Sequence, residues 1–273
     1  MPEYSKINFH KLLDDYIVKN IDSSELEIIS TNSSDLISFN RLDIGFKLLY
    51  LYLRNKNLKL AEKIYLLHIS SLSFGTFKEK GNINKKKPND FLINFEKLIK
   101  SLKNRGFDKT ISLIPIENNN SILNGSHRLA ISIYLNNPVS YISLNESKLT
   151  YDYKFFENRN MKREYLEESV KIFTRYDKNS YLAILWPTSY KYHNEFEKNF
   201  KNILYIKEIK LSEIGKHNFI IELYKNEKWL GDYKNNFIGA INKKNLCFNN
   251  KNNLKIIIFQ FKKNEEVNIL KKK

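Results

Sequence analysis

The chain has 273 residues, a single cysteine and a formal net charge of +16, with 42% hydrophobic and 14% aromatic residues. That length and apolar content suit a folded core of one large or two modest domains, and they exclude a disordered chain. Cys247 alone excludes an intramolecular disulfide and a cysteine-based zinc cluster, and the longest apolar runs, such as residues 256–259, are strand-length rather than membrane-spanning. The first residues lack a basic start followed by an apolar core, so no signal peptide is expected, the cytoplasm is the expected compartment, and no membrane partner is expected. Lysine is spread along the whole chain with asparagine and isoleucine, as an AT-rich coding bias produces, instead of clustering with arginine on one face. A nucleic-acid partner is therefore not favoured.

In chain order, residues 9–18 read as a short helix and 24–30 as a strand. Asn40, Arg41, Leu42 and Asp43 stand at the mouth of a strongly apolar helix over 44–53, with Asp43 as its N-cap. Arg41 there can contact a phosphate or carboxylate, or the group can simply pin the helix. A second helix covers 58–67 and leaves His68 near its end, where a structural role is the reading. Residues 73–82 form a glycine-containing loop with small hydroxyls, Lys78, Glu79 and Lys80, suited to a nucleotide pocket's wall. Glu79 is a candidate metal or base carboxylate, against the alternative of a solvated loop residue. Lys85, Lys86, Lys87 and Pro88 read as an exposed connector.

The next stretch organises the chain. An amphipathic helix over 91–105 ends at Gly106, a strand follows over 111–116, a polar turn over 117–120, and a strand over 121–123. A tight turn at Asn124–Gly125 then opens a helix with Ser126 as N-cap and Leu129, Ala130, Ile133 and Tyr134 on its buried face, followed by a strand over 138–144. Glycine lets a ligand approach the backbone, the first helical turn aims amides and the positive dipole end at the same point, and His127 and Arg128 add donors. This is a phosphate-binding turn, or else an ordinary capped helix whose basic residues are solvated.

At residues 90–144 the chain resembles the ParB/sulfiredoxin-like superfamily, whose members carry a helix ending in Gly-Phe or Gly-Leu, a Pro-Ile or Pro-Val strand, a short hairpin, and a Gly-x-His-Arg or Gly-x-Arg-Arg turn opening a helix. Gly106-Phe107, Pro115-Ile116 and Gly125-Ser126-His127-Arg128 stand at those positions. Nearest in kind are the free serine kinases of this fold. The resemblance implies that Gly125, Ser126, His127 and Arg128, with Asn124 before them, hold the phosphates of ATP or another nucleotide with magnesium; Arg41, outside the matched stretch, is a further candidate contact. With no aspartate at 124, Glu79 or Asp43 would have to supply the catalytic carboxylate, and His127 is the remaining catalytic candidate. Two departures bear on mechanism. The serine-kinase branch has aspartate where Asn124 stands, and an amide cannot be a general base. Sulfiredoxin has its cysteine where Ser126 stands, so sulfiredoxin chemistry does not carry over.

Beyond the motif, 151–157 and 161–173 read as helices, and 181–187, 203–211, 218–224 and 254–261 as strands with apolar–polar alternation. Lys207, Lys210, His217 and Glu222 lie on or beside these strands, either orienting phosphates or forming cross-strand ion pairs, and Trp229, Leu230 and Gly231 end a turn. The chain stops in what reads as a helix just begun, as a truncated product does. The expected fold is α+β: a ParB/sulfiredoxin-like nucleotide-binding domain with N-terminal helices over 1–150, and a C-terminal mixed-sheet α/β lobe over 151–273. No repeat, glycine-rich phosphate loop of the Walker type, zinc spacing or serine-hydrolase elbow is present in the sequence. The expected function is an ATP-dependent phosphotransferase acting on a small metabolite such as a sugar or amino acid. The alternatives are a ParB-like nucleotide-binding protein that switches on DNA, and a non-catalytic binding module.

Overall fold

The computed structural model describes residues 9–18, 26–78, 85–117, 121–144, 150–185, 202–210 and 253–260. Helices and strands are mixed in an α+β organisation, and the chain divides into two compact units, Met1–Tyr176 and Asp177–Lys273. None of the helices among the described residues is long and apolar enough to cross a membrane.

The first unit begins with α1 (Phe9–Leu12), α2 (Asp15–Val18) and β1 (Ile29–Asn32), then a 3₁₀ turn at Ser33–Leu36, α3 (Asp43–Leu53) and α4 (Leu58–Leu72). It continues through α5 (Pro88–Arg105), β2 (Ile114–Glu117), α6 (Ser126–Leu135), β3 (Pro138–Leu144), α7 (Tyr153–Glu157) and α8 (Arg163–Tyr176). The helix read over 9–18 is thus two short ones, and Asp14 lies in the break between them. The expected boundary at residue 150 falls instead after Tyr176, because α8 packs on α3 as part of the first unit.

α3 is the hub. It is apolar on nearly every side, as a fully buried helix is, and residues 43–51 are all buried. It packs against α4, α6 and α8. Gly45 is what lets α8 come so near: a Cβ there would stand 2.8 Å from the Ser169 carbonyl oxygen. An aromatic cluster joins α3, α4 and α5, with Tyr50 against Tyr65 and Phe95 at 5.2 and 5.1 Å, and the Tyr50 hydroxyl donates to Glu96 Oε1 at 2.7 Å. His68 is buried here with its ring stacked on Phe46 at 5.0 Å.

The sheet of this unit runs β1–β3–β2, with β1 antiparallel and β2 parallel to β3. The strand read over 24–30 sits at Ile29–Asn32, because pairing with β3 from Ile29↔Tyr141 to Asn32↔Pro138 sets its limits. β2 starts at Ile114 rather than 111, since Asp108 Oδ1 accepts from Thr110 N (2.8 Å) and turns the chain there. Residues 121–123 form no full strand, only an Ile116↔Ile122 bridge. Leu13, Ile17 and Val18 pack with Leu113, Leu123, Ile142 and Leu144, which holds the N-terminal helices against the sheet. Burying each such side chain contributes about 1.5–3 kcal/mol.

In the second unit β4 (Ser180–Leu185), β5 (Ile203–Lys210) and β6 (Asn253–Gln260) form an antiparallel sheet in the order β4–β6–β5. Three of the four strands read from alternation are therefore present, and Lys207 is buried. Residues 218–224, His217, Glu222 and 229–231 lie outside the described residues.

Candidate functional site

The bend that opens α6 departs from the sequence reading in one respect. Gly125, not Ser126, is the N-cap, with φ +83° and ψ 18°, and Ser126 is the first helical residue. Glycine occupies the left-handed region without the cost a Cβ incurs. It also has no side chain to cap the first turn, whose intrahelical bonding begins with Leu129 N to Gly125 O at 2.9 Å. The Arg128 guanidinium folds back over this glycine, so near that a Cβ would meet its Nη2 at 3.0 Å. Asn124 shapes the bend from the other side: its Oδ1 accepts from Gly125 N at 2.6 Å and its Nδ2 donates to Asp14 Oδ2. An aspartate at 124 could not make the second bond, having no N–H.

Under the bend lies a buried charge cluster. Arg41 Nε and Nη2 reach Asp43 Oδ1 and Oδ2 at 2.8 and 3.0 Å, a two-pronged pairing, while Lys47 Nζ reaches Asp43 Oδ2 at 2.9 Å. Burial opposes the Asp43 charge, and the Arg41 and Lys47 cations overcome that, holding the carboxyl well below its usual range. Arg41 Nη1 also donates to the Ile122 carbonyl just before the bend, and its guanidinium lies 5.1 Å from the Tyr151 ring centre. Asp43 is therefore not the side-chain N-cap read from the sequence: α3 starts with it, and its side chain makes no capping bond. Nor does it suit the base role expected of it, since both oxygens are engaged by cations. Arg41 grips a carboxylate and ties α3 to the bend, in place of the phosphate contact expected.

His127 has a partner that the sequence did not reveal. The Tyr65 hydroxyl of α4 stands 2.8 Å from His127 Nε2, and the imidazole meets the Phe95 ring edge-on at 4.9 Å. Burial first, then the nearby Lys47 and Lys85 cations, push its pKa well below the ordinary value, so the ring is neutral at pH 7.

These groups surround one cleft of about 610 Å³. The bend residues Asn124, Gly125, Ser126, His127 and Arg128 line it together with Arg41 and Asp43. Lys47, Lys78, Lys85 and Asp14 add charge, and Phe91, Leu98, Ile69 and Leu72 of α4 and α5 form an apolar wall. Arg41, Lys47, Lys78, Lys85 and Arg128 outnumber Asp14 and Asp43, so the cleft favours an anion. Seven of the eight site residues expected from the sequence thus converge on one space; Glu79 lies outside the described residues. Asp14, Lys47, Lys85 and Tyr65 were not expected there. Lys47 and Tyr65 are masked in the sequence by helical patterns that read as core. Asp14 meets Asn124 only across 110 residues of chain. Among the described residues no group of three or more His, Cys, Asp or Glu side chains stands ready to hold a metal ion. Comparison with protein-family models, with curated proteins and with solved structures finds no match to this chain.

Proposed function

We propose that the first unit is a nucleotide-binding domain of ParB/sulfiredoxin-like kind that transfers a phosphoryl group from ATP to a small hydroxyl-bearing metabolite, a sugar or an amino acid. The observation that carries this reading is the convergence of a glycine-capped helix start with Arg128, Lys78 and Lys85 on one cleft with an apolar wall. Phosphates suit the cationic end, where helix amides and a guanidinium act together. The apolar wall between α4 and α5 suits a nucleobase.

Asp14 is the carboxylate we assign to the chemistry. It is exposed, lines the cleft and is held by the Asn124 amide rather than by a cation. It would take the proton from the acceptor hydroxyl as that oxygen bonds to the terminal phosphorus and the bond from that phosphorus to the bridging oxygen breaks, so that ADP leaves. Magnesium, which when bound would neutralise charge on the transferred group, would be carried by the nucleotide's own phosphate oxygens, leaving Asp14 to accept the proton. Arg128 and the first-turn amides would orient the phosphates.

A second reading, a nucleotide-driven switch on DNA, would account for the net charge of +16, although the lysines that carry it are spread along the chain. Calorimetric titration with ATP, CTP and GTP, with and without magnesium, tests both. Arg128→Ala should weaken binding roughly tenfold or more, as loss of a charge-assisted hydrogen bond does. ADP formation that rises with a metabolite mixture and is lost in Asp14→Asn supports the kinase. Hydrolysis stimulated only by DNA supports the switch. Absence of any nucleotide binding by the unaltered chain rejects both.

A further inference from the structure

The Tyr65–His127 pair has a chemical consequence for the cleft. A phenol is a good donor and a poor acceptor, whereas a neutral imidazole nitrogen is a strong acceptor, so the 2.8 Å contact is best made as Tyr65 O–H to His127 Nε2. The ring then carries its proton on Nδ1. That nitrogen makes no hydrogen bond among the described residues, and His127 lines the cleft at the second position of α6. Protonating the ring would break the bond from Tyr65 and add charge to a crowded cationic region. The groups facing it are Lys47 and Asp43 of α3, Tyr65 and His68 of α4, and Lys85 ahead of α5. Tyr65 is itself fixed, being buried with its ring stacked on Phe95 at 5.0 Å.

We propose that Tyr65 is a positioning residue that fixes His127 as the Nδ1–H tautomer, so that the imidazole serves the cleft as a neutral hydrogen-bond donor to a phosphate oxygen. This rests on the phosphate reading of the cleft given above. His127 is then neither the general base nor the cation that its place in the motif suggests. Free imidazole side chains favour the Nε2–H form, so the tautomer is a property of this pair.

The tautomer is read directly. In the full chain labelled with ¹⁵N-histidine, long-range ¹H–¹⁵N correlation distinguishes Nδ1–H, Nε2–H and imidazolium, and His127→Asn identifies the signal among the five histidines. The expected result is a neutral Nδ1–H ring that persists as the pH is lowered to about 5.5, and that changes to mostly Nε2–H in Tyr65→Phe. An Nε2–H ring in the wild type, or an Nδ1–H ring unchanged in Tyr65→Phe, overturns the proposal.

ATP and inorganic pyrophosphate titrations then test the donor role. Asparagine places an amide N–H near the position of Nδ1, so His127→Asn should bind within a few-fold of wild type. His127→Ala should lose about tenfold or more. Tyr65→Phe should weaken binding in the wild-type background and have no further effect on top of His127→Asn. Equal losses in His127→Asn and His127→Ala overturn the donor role. Failure of the wild type to bind either ligand while the ring is still Nδ1–H overturns the phosphate reading itself, which separates the two outcomes. If Tyr65→Phe fails to fold, the asparagine–alanine comparison and the wild-type spectrum still decide the matter.

Discussion

Asp43 offers the sharpest test of how this domain is held together, because the same residue reads as a catalytic base from the sequence and as a structural anchor from its surroundings. Its carboxylate is 1% exposed and accepts three side-chain hydrogen bonds, from Arg41 Nε and Nη2 and from Lys47 Nζ. Asp43→Asn removes the negative charge and leaves two buried cations, Arg41 at 3% and Lys47 at 0% exposure, facing a neutral amide. Breaking a buried pair by deleting one partner costs about 3–5 kcal/mol, because the other charge stays buried without compensation. That is a large share of the roughly 5–15 kcal/mol that holds a domain folded. In a unit of this size it corresponds to a fall in Tm of roughly 6–20 °C. The assay is thermal and urea unfolding followed by circular dichroism, with Asp43→Asn compared against Asp43→Asn/Lys47→Met. The double variant removes one stranded cation and should recover part of the loss. An Asp43→Asn protein that melts within about 2 °C of wild type, yet has lost phosphoryl transfer, would refute the structural assignment and restore the base role.

Three further outcomes follow from the packing and the buried titratable groups. Gly45→Ala drives a methyl group to 2.8 Å from the Ser169 carbonyl and should cost about 1–3 kcal/mol by forcing α3 and α8 apart, read as a lower urea midpoint. Gly125→Ala asks an L-residue to hold φ +83°, at a cost of about 1–2 kcal/mol, and displaces the Arg128 guanidinium, so ATP affinity should fall along with the Tm. Burial first, then Lys47, holds His68 neutral well below its ordinary pKa, and His127 is depressed likewise. The unfolded chain takes up protons below about pH 6.5 that the folded chain refuses, so stability is complete above that pH and falls as the pH drops towards the folded values. Each histidine adds up to about 1.4 kcal/mol per pH unit to that slope. Urea midpoints at pH 7.5 and 5.5 measure it, and His68→Phe, which preserves stacking on Phe46, should reduce it. A flat profile in the wild type would show that the rings accept protons in the folded state. Asp43 does not contribute in this window, because its own stabilisation is lost only as the pH falls below about 3.9.

Much of the secondary structure was legible from periodicity. α3 to α6 and β3 declare themselves through apolar spacing, and Gly106 ends α5 where a glycine C-cap was expected, at φ +71°. The bend at Asn124–Gly125 was legible for the same reason, since a short polar turn between apolar segments is a local signal. Element ends were less so. β1 and β2 begin later than their composition suggests, because strand limits are set by the partner β3 and by a turn at Asp108.

What the sequence by itself determined is the α+β mixture, the bend and the kinds of donor it carries, all of which depend on neighbours within one or two helical turns. Only the tertiary structure decided what each donor does. Arg41 reaches the Ile122 carbonyl, Tyr65 reaches His127, and Asp14 comes to Asn124, so a motif residue's role depends on a partner 62, 81 or 110 positions away. The physical reason is that a charge or a ring nitrogen takes its state from its surroundings. Burial makes an unpaired ion costly, and so the fold, by choosing the partners, assigns Asp43 to structure and leaves Asp14 facing the cleft.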